Sequence, residues 1–117
     1  MRRERLLLED IVSATNSIAE FIRDLNPESF EASQLVRSAV VHQLTVIGEA
    51  VARLSPALRE RYPEIPWADI KGLRNIVVHN YFGIDWAEVW SAATMDVPLL
   101  RDQVTGILTQ EWLKEAE

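Results

Sequence analysis

Apolar residues recur along the chain at intervals of three and four. Leu7, Ile11, Ala14, Ile18, Ile22 and Leu25 form a first stripe, the spacing of one buried face on a helix of 3.6-residue period. Asn26-Pro27 ends it, because proline disfavours helical backbone at the residue before it. A helix can nevertheless begin at Pro27, since the first helical position tolerates proline. Val36, Val40, Leu44, Ile47, Val51 and Leu54 form a second stripe, which predicts one helix from about Pro27 or Ser29 to Leu54. Ser55-Pro56 stops that helix and is suited to cap a short one through Arg61. Pro63 and Pro66 bracket a tight connection. Pro66 suits the first turn of a third helix, from Trp67 to about Phe82, with Gly83 as its stop. Asp85 and Glu88 have capping-box spacing at the start of a fourth helix, whose stripe is Trp86, Trp90, Ala93, Val97, Leu100, Val104 and Ile107. Pro98 falls inside this stripe and predicts a kink. No segment alternates with period two, so strands are not expected. The expected fold is all-α, an antiparallel four-helix bundle with a kinked last helix and a short connecting helix, in a single domain over residues 1–117.

Composition sharpens this picture in three ways. The 117 residues are 48% hydrophobic and 26% charged, an ordinary balance for one folded domain. No apolar run reads as a bilayer span of ~20 residues, and the charged start followed by Leu6–Leu8 and then Glu9-Asp10 does not read as a signal peptide. No membrane role is expected, and the cytoplasm is the default location. Cysteine is absent, so neither disulfides nor thiolate metal sites are available. Net charge is −6, which excludes a whole-chain basic field for nucleic acid. The cations Arg53, Arg59, Arg61, Lys71 and Arg74 gather in the middle of the chain. An RNA-binding role would use that region, together with a second subunit's copy of it.

One segment could carry chemistry: Arg74-Asn75-Ile76-Val77-Val78-His79-Asn80-Tyr81. On a helix, Arg74 and Tyr81 lie within ~20° of each other and His79 lies ~140° from Arg74. Asn75 and His79 share a face. The polar groups flank the apolar stripe instead of opposing it, which suits a helix edge facing a second protein surface. Such a set could support phosphoryl transfer on RNA. An imidazole that titrates near neutrality can take the proton of a ribose 2′-hydroxyl, and a guanidinium can fork onto phosphate oxygens and stabilise the charge of the transition state. Cleavage by a 2′-hydroxyl needs no metal. The same two residues could instead make a salt bridge and an ordinary helix-surface hydrogen bond, and spacing alone does not separate these readings.

Arg74-x4-His79-x-Tyr81 resembles the RX4HXY motif of HepT-like toxins in the HEPN superfamily of helical ribonucleases. The flanking text is similar too: Ile47-Gly48-Glu49-Ala50, Ile65-Pro66-Trp67, Tyr81-Phe82-Gly83-Ile84-Asp85 and Val89-Trp90. The resemblance implies a four-helix bundle that dimerises around a shared cleft. It also implies a metal-independent endoribonuclease acting as the toxin of a type II/VII-like toxin–antitoxin system. Arg74 and His79 would be catalytic, with His79 the general base or acid and Arg74 the transition-state clamp. The implied partner is a minimal nucleotidyltransferase antitoxin that adenylylates Tyr81. No cofactor and no metal are implied. Two other readings remain: a non-catalytic helical partner of a nucleotidyltransferase, or the substrate-binding subunit of such an enzyme.

Other residues carry paired readings. Glu49 could orient Arg74 or His79, or simply pair with Arg53 at i,i+4. Asn75 and Asn80 could bind phosphate or base, and Asn80 could equally end the helix. Lys71 is a candidate phosphate contact or a solvated lysine. His42 reads as a helix-surface or interface histidine. Asp69 suits the first turn of its helix. Trp67, Trp86 and Trp90 read as core and interface anchors more than as RNA-stacking platforms. The acidic tail from Glu111 to Glu117 reads as a solvated helix end.

Overall fold

A computed structural model describes residues 2–75 and 83–113. Among these residues all regular structure is helical, as the patterning requires. Helix α1 spans Arg2–Ile22, α2 Pro27–Ala32, α3 Gln34–Arg53, α4 Pro56–Arg61 and α5 Trp67–Lys71. The last of these continues as a 3₁₀ turn over Gly72–Asn75. Beyond residue 82, α6 spans Trp86–Ser91, a π-helical turn covers Ala92–Asp96, α7 spans Val97–Leu108, and a second π turn covers Thr109–Leu113.

Each of the apolar stripes read from the sequence faces the interior. Leu8, Ile11 and Ile18 of α1 are fully buried, as are Val40, Ile47 and Val51 of α3 and Val104 of α7. Helix α1 packs along both α3 and α7, and α3 packs in turn on α5 and its 3₁₀ turn. The direction of the first pair follows from one polar contact. Glu4, near the start of α1, is buried, and its carboxylate accepts the Ser55 backbone N–H at 3.1 and 3.2 Å and the Ser55 hydroxyl at 3.3 Å. Ser55 follows the end of α3, so α1 and α3 run antiparallel.

The second helix departs from expectation. It is not continuous from Pro27 to Leu54 but breaks at Ser33, which adopts extended backbone, φ −101° and ψ 100°. The Ser33 N–H closes α2 on the Phe30 carbonyl, while its hydroxyl accepts the Val36 N–H and caps α3. A short hydroxyl side chain competes for backbone groups in this way wherever packing favours a bend. Here the bend seats Phe30, which is fully buried, against Trp86 and Trp90 at centroid distances of 6.2 and 5.3 Å. The start of α2 matches the reading at Pro27, with Asn26 and Ser29 forming a reciprocal capping box.

Helix α3 also corrects the reading that no segment has the character of a membrane span. Gln34–Arg53 is long and apolar enough to cross a bilayer by length and composition. Its hydropathy comes from the stripe Val40, Leu44, Ile47 and Val51, which is buried against other helices, so the same residues serve as core.

The proline expectations resolve into specific geometry. Ser55 caps α4 through the Leu58 N–H at 3.2 Å, and α4 ends at Arg61 as read. Pro66 occupies the cap position ahead of α5, one residue before the first helical turn. Asp85 caps α6 by accepting the Ala87 and Glu88 N–H groups at 3.0 and 3.2 Å. Pro98 sits in the first turn of α7, directly after the π turn Ala92–Asp96. A proline ring crowds the carbonyl four residues back and offers no N–H. The widened turn absorbs both effects, and this is the form the expected kink takes. The third helix was expected to reach Phe82; its described part ends in the 3₁₀ turn at Asn75, and the remainder lies outside the described residues.

The end of the chain is tied to α4 by a three-residue cluster. The Tyr62 hydroxyl donates to Glu111 Oε2 at 2.7 Å, and Arg61 donates to Glu111 Oε1 at 2.9 Å. Burial, then the bond to Glu111, pushes the Tyr62 hydroxyl up to about 12. The bond from Tyr62 is the largest cause holding the Glu111 carboxyl below its ordinary value, and Arg61 adds to it. Glu111 thus contributes stability above the ordinary carboxylate range, lost as pH falls through its depressed value. The contribution of Tyr62 is whole below pH 10.0, its ordinary value, and is lost as pH rises toward about 12. Tyr62→Phe should therefore lower stability near pH 7 by about 1 kcal/mol, or roughly 4 °C in Tm. The gap from wild type should narrow both below pH 4.5, the ordinary glutamate value, and above pH 10.0. Calorimetric melting across pH measures this; a gap that stays constant would show that the cluster does not couple to folding.

Candidate active site

The segment leading to Arg74 is anchored by Trp67. This side chain is buried, and its indole N–H is shared between the Arg59 and Tyr62 carbonyls at 3.1 and 3.0 Å. The indole thereby ties α5 to α4 and sets where α5 begins. Trp67 is an anchor, as expected of it. Trp86 and Trp90 are half-buried on Phe30, and the Arg37 guanidinium lies 4.9 Å from the Trp86 ring centre, so they too serve packing. Among the described residues, the exposed large apolar side chains are Leu6, Phe21, Leu35, Met95 and Leu99.

From Trp67 the chain makes one α-helical turn and tightens at Gly72. Lys71 and Arg74 are half-buried and Asn75 is exposed. Opposite this turn, α3 presents Gly48, which is buried. A Cβ at position 48 would fall 2.6 Å from the Arg74 backbone nitrogen, 3.1 Å from Arg74 Cβ and 3.1 Å from the Ile70 carbonyl oxygen. The absence of a side chain is what lets the two backbones meet. In the Ile47-Gly48-Glu49-Ala50 segment nothing local to the sequence assigns Gly48 a role. The available signal was a glycine in the middle of an apolar helix, where alanine would be favoured by ~1 kcal/mol.

The structure brings Lys71, Arg74 and Asn75 onto one turn. Glu49 sits elsewhere: it is exposed and lines a groove between α1 and α3 with Asp10, His42, Thr45 and Arg53. It forms no ion pair with Arg53 or with Arg74. His42 is exposed on that same surface, as expected. Asp69 is exposed in the first turn of α5. His79, Asn80 and Tyr81 lie outside the described residues, as do the last residues of the acidic tail. Among the described residues, no three His, Cys, Asp or Glu side chains group as a metal site.

Beside the Arg74 turn lies an apolar cleft of about 280 Å³. Leu44 and Ile47 of α3 form its floor, Ile70 and Leu73 one wall, and Val97 and Leu100 the other, with Asp69, Asp96 and Gln103 also lining it. The chemistry on the described side is thus a half-buried guanidinium beside a lysine on a braced turn, an arrangement able to hold a phosphate by charge-assisted hydrogen bonds.

The family model described as "Ribonuclease HepT-like" matches residues 11–107. A protein of Methanocaldococcus jannaschii named as a putative RNase is 37% identical over 103 residues, covering 88% of this chain and 94% of that one. A probable ribonuclease HepT of Thermococcus cleftensis is 34% identical over 100 residues, covering 86% and 91%. A putative RNase of Caldanaerobacter subterraneus subsp. tengcongensis is 32% identical over 111 residues, covering 95% and 99%. No solved structure matches the chain. The family model covers most of the chain, the Arg74–Tyr81 segment included, and the chain belongs to the ribonuclease HepT-like family.

Proposed function

We propose that this protein is a metal-independent endoribonuclease, the toxin of a two-component system, silenced by adenylylation of Tyr81. The observation that carries the reading is the intact Arg74-x4-His79-x-Tyr81 segment in a chain that matches ribonuclease relatives over nearly its full length. His79 acts as general base: it takes the 2′-hydroxyl proton as that oxygen bonds to phosphorus. The phosphorus–5′-oxygen bond breaks, and the leaving oxygen receives a proton from a general acid, a role open to the partner subunit's copy of His79. Arg74 stabilises the charge gathering on the phosphate oxygens. Lys71, Asn75 and Asn80 contact RNA; Glu49, turned into the groove by α1, takes no part. The reaction belongs to the cytoplasm, where the RNA is.

The protein acts as a homodimer, which brings two copies of Lys71 and Arg74 to one cleft and so concentrates cations locally in a chain whose net charge is −6. Exposed Met95 and Leu99 beside the apolar cleft supply a hydrophobic surface for such contact. A specific dimer buries upward of ~1,000 Å². Sedimentation at tens of micromolar should show a dimer; a clean monomer would overturn this assembly.

For the reaction, His79→Ala should reduce cleavage of an RNA substrate by ~10²–10⁴-fold, and Arg74→Ala by ~10²–10³-fold. Both variants should keep the wild-type melting profile, and wild-type cleavage should survive EDTA. Loss of cleavage in EDTA, or full activity in both variants, would refute the mechanism. An inactive but folded and dimeric wild type would favour a non-catalytic partner of a nucleotidyltransferase.

The regulatory partner is a minimal nucleotidyltransferase that transfers AMP from ATP to the Tyr81 hydroxyl. The tyrosine oxygen bonds to the α-phosphorus, pyrophosphate leaves, and the phenolic proton goes to a base of the partner enzyme. The added phosphodiester pairs with Arg74 in the place an RNA phosphate would take. The chain has two tyrosines, and the other is a poor acceptor, since Tyr62 donates its proton to Glu111 and is pushed up to about 12. Intact mass after incubation with the partner enzyme and ATP should show added AMP on wild type and on Tyr62→Phe, and none on Tyr81→Phe, which should also resist neutralisation. An adduct that persists on Tyr81→Phe would sink the assignment.

A further inference from the structure

The contact between α3 and the Arg74 turn is made backbone to backbone. Two of the atoms nearest a hypothetical Cβ at position 48 are the Arg74 nitrogen, at 2.6 Å, and the Ile70 carbonyl oxygen, at 3.1 Å. These atoms bound the last turn before Arg74, and neither is the end of a flexible side chain that could swing away. Real Cβ atoms essentially never come within 3.0 Å of another heavy atom, so any side chain at position 48 forces the turn off α3 by roughly half an ångström. The other described glycines of helical segments differ: a Cβ on Gly72 or Gly106 would meet nothing within 4 Å. Nor is Gly48 needed for an unusual backbone conformation, since no glycine among the described residues has positive φ. Its service is steric.

We propose that Gly48 is a positioning residue for Arg74, and through it for the RNA phosphate. The helix that leads into the turn is held at its start by Trp67, whose indole is bonded to the Arg59 and Tyr62 carbonyls, so the turn cannot shift as a free unit with α5. A displaced turn carries the guanidinium away from the phosphate it must meet in the transition state. Misplacement by 1 Å can cost ~10²-fold in rate, and half that displacement predicts a loss of about ten-fold. The inference rests on the proposed role of Arg74 in RNA cleavage.

The full chain tests it with two readouts. In nitrogen-15 spectra, Gly48→Ala should move the Arg74 amide signal and leave those of α1 and α7 in place. In cleavage assays it should lower kcat about ten-fold with KM nearly unchanged. Adding Gly48→Ala to Arg74→Ala should cost nothing further, because residues acting as one unit are non-additive. Gly106→Ala, at the open position, should leave both readouts unchanged. An Arg74 amide that does not move, or losses that add in the double variant, would overturn the proposal. Should Gly48→Ala fail to fold, wild type still decides: a nuclear Overhauser contact between the Gly48 α-protons and the Arg74 amide proton is expected, and its absence would refute the contact. If Arg74→Ala cleaves like wild type, the proposed role of Arg74 fails, and the spectra alone then judge whether Gly48 sets the turn.

Discussion

Helix α3 is packed on two sides at once, and the rest of the chain is arranged around that constraint. One side takes α1; the other takes the turn that ends at Arg74, with Leu44 and Ile47 flooring the cleft beside it. A helix packed on two sides carries buried apolar residues on both, which raises the hydropathy of Gln34–Arg53 to that of a membrane span by length and composition. It must also be small where a second backbone comes close, which is why Gly48 stands in its middle. The two requirements meet in consecutive residues, Ile47 filling the core and Gly48 leaving room.

Polar contacts between distant residues decide how the helices meet end to end. Glu4 reaches across 51 positions to Ser55, and the same serine hydroxyl caps α4. Removing the carboxylate would leave the Ser55 N–H short of its partner at a half-buried site, the costly way to lose a hydrogen bond. Glu111 does the corresponding service at the other end, holding the last turn to Arg61 and Tyr62. The Trp67 indole then ties α5 to the carbonyls at the end of α4. Together these contacts frame the Pro63–Pro66 connection and so fix the point from which the Arg74 segment departs.

For the proposed chemistry, this frame sets where positive charge is held. A chain with net charge −6 cannot draw RNA by its overall field. It can still bind a phosphate locally if its cations are braced and gathered, and Lys71 and Arg74 sit on one turn with its backbone pressed against α3. Guanidinium binding to phosphate gains from such bracing, because less side-chain and backbone freedom is lost on contact.

Much of this was legible in the sequence, for a physical reason. Helical periodicity and capping are local: they depend on residues three and four apart, and on prolines and hydroxyl side chains at helix ends. The stripes of α1, α3 and α7, a helix start at Pro27, the caps at Ser55 and Asp85 and the disturbance at Pro98 were therefore readable, as was the segment from Arg74 to Tyr81. The break at Ser33 was not, because a serine is compatible with helix or cap, and the choice was made by Phe30 finding Trp86 and Trp90 far along the chain. The distances from Glu4 to Ser55 and from Tyr62 to Glu111 were hidden for the same reason. Glu49 shows the limit most clearly: its place beside Gly48 suggested a carboxylate near Arg74, but one residue is 100° of helix. That rotation turns Glu49 into the groove by α1, while Gly48 faces Arg74. Sequence determined which residues could lie on a face; only the packing of helices decided what each face would meet.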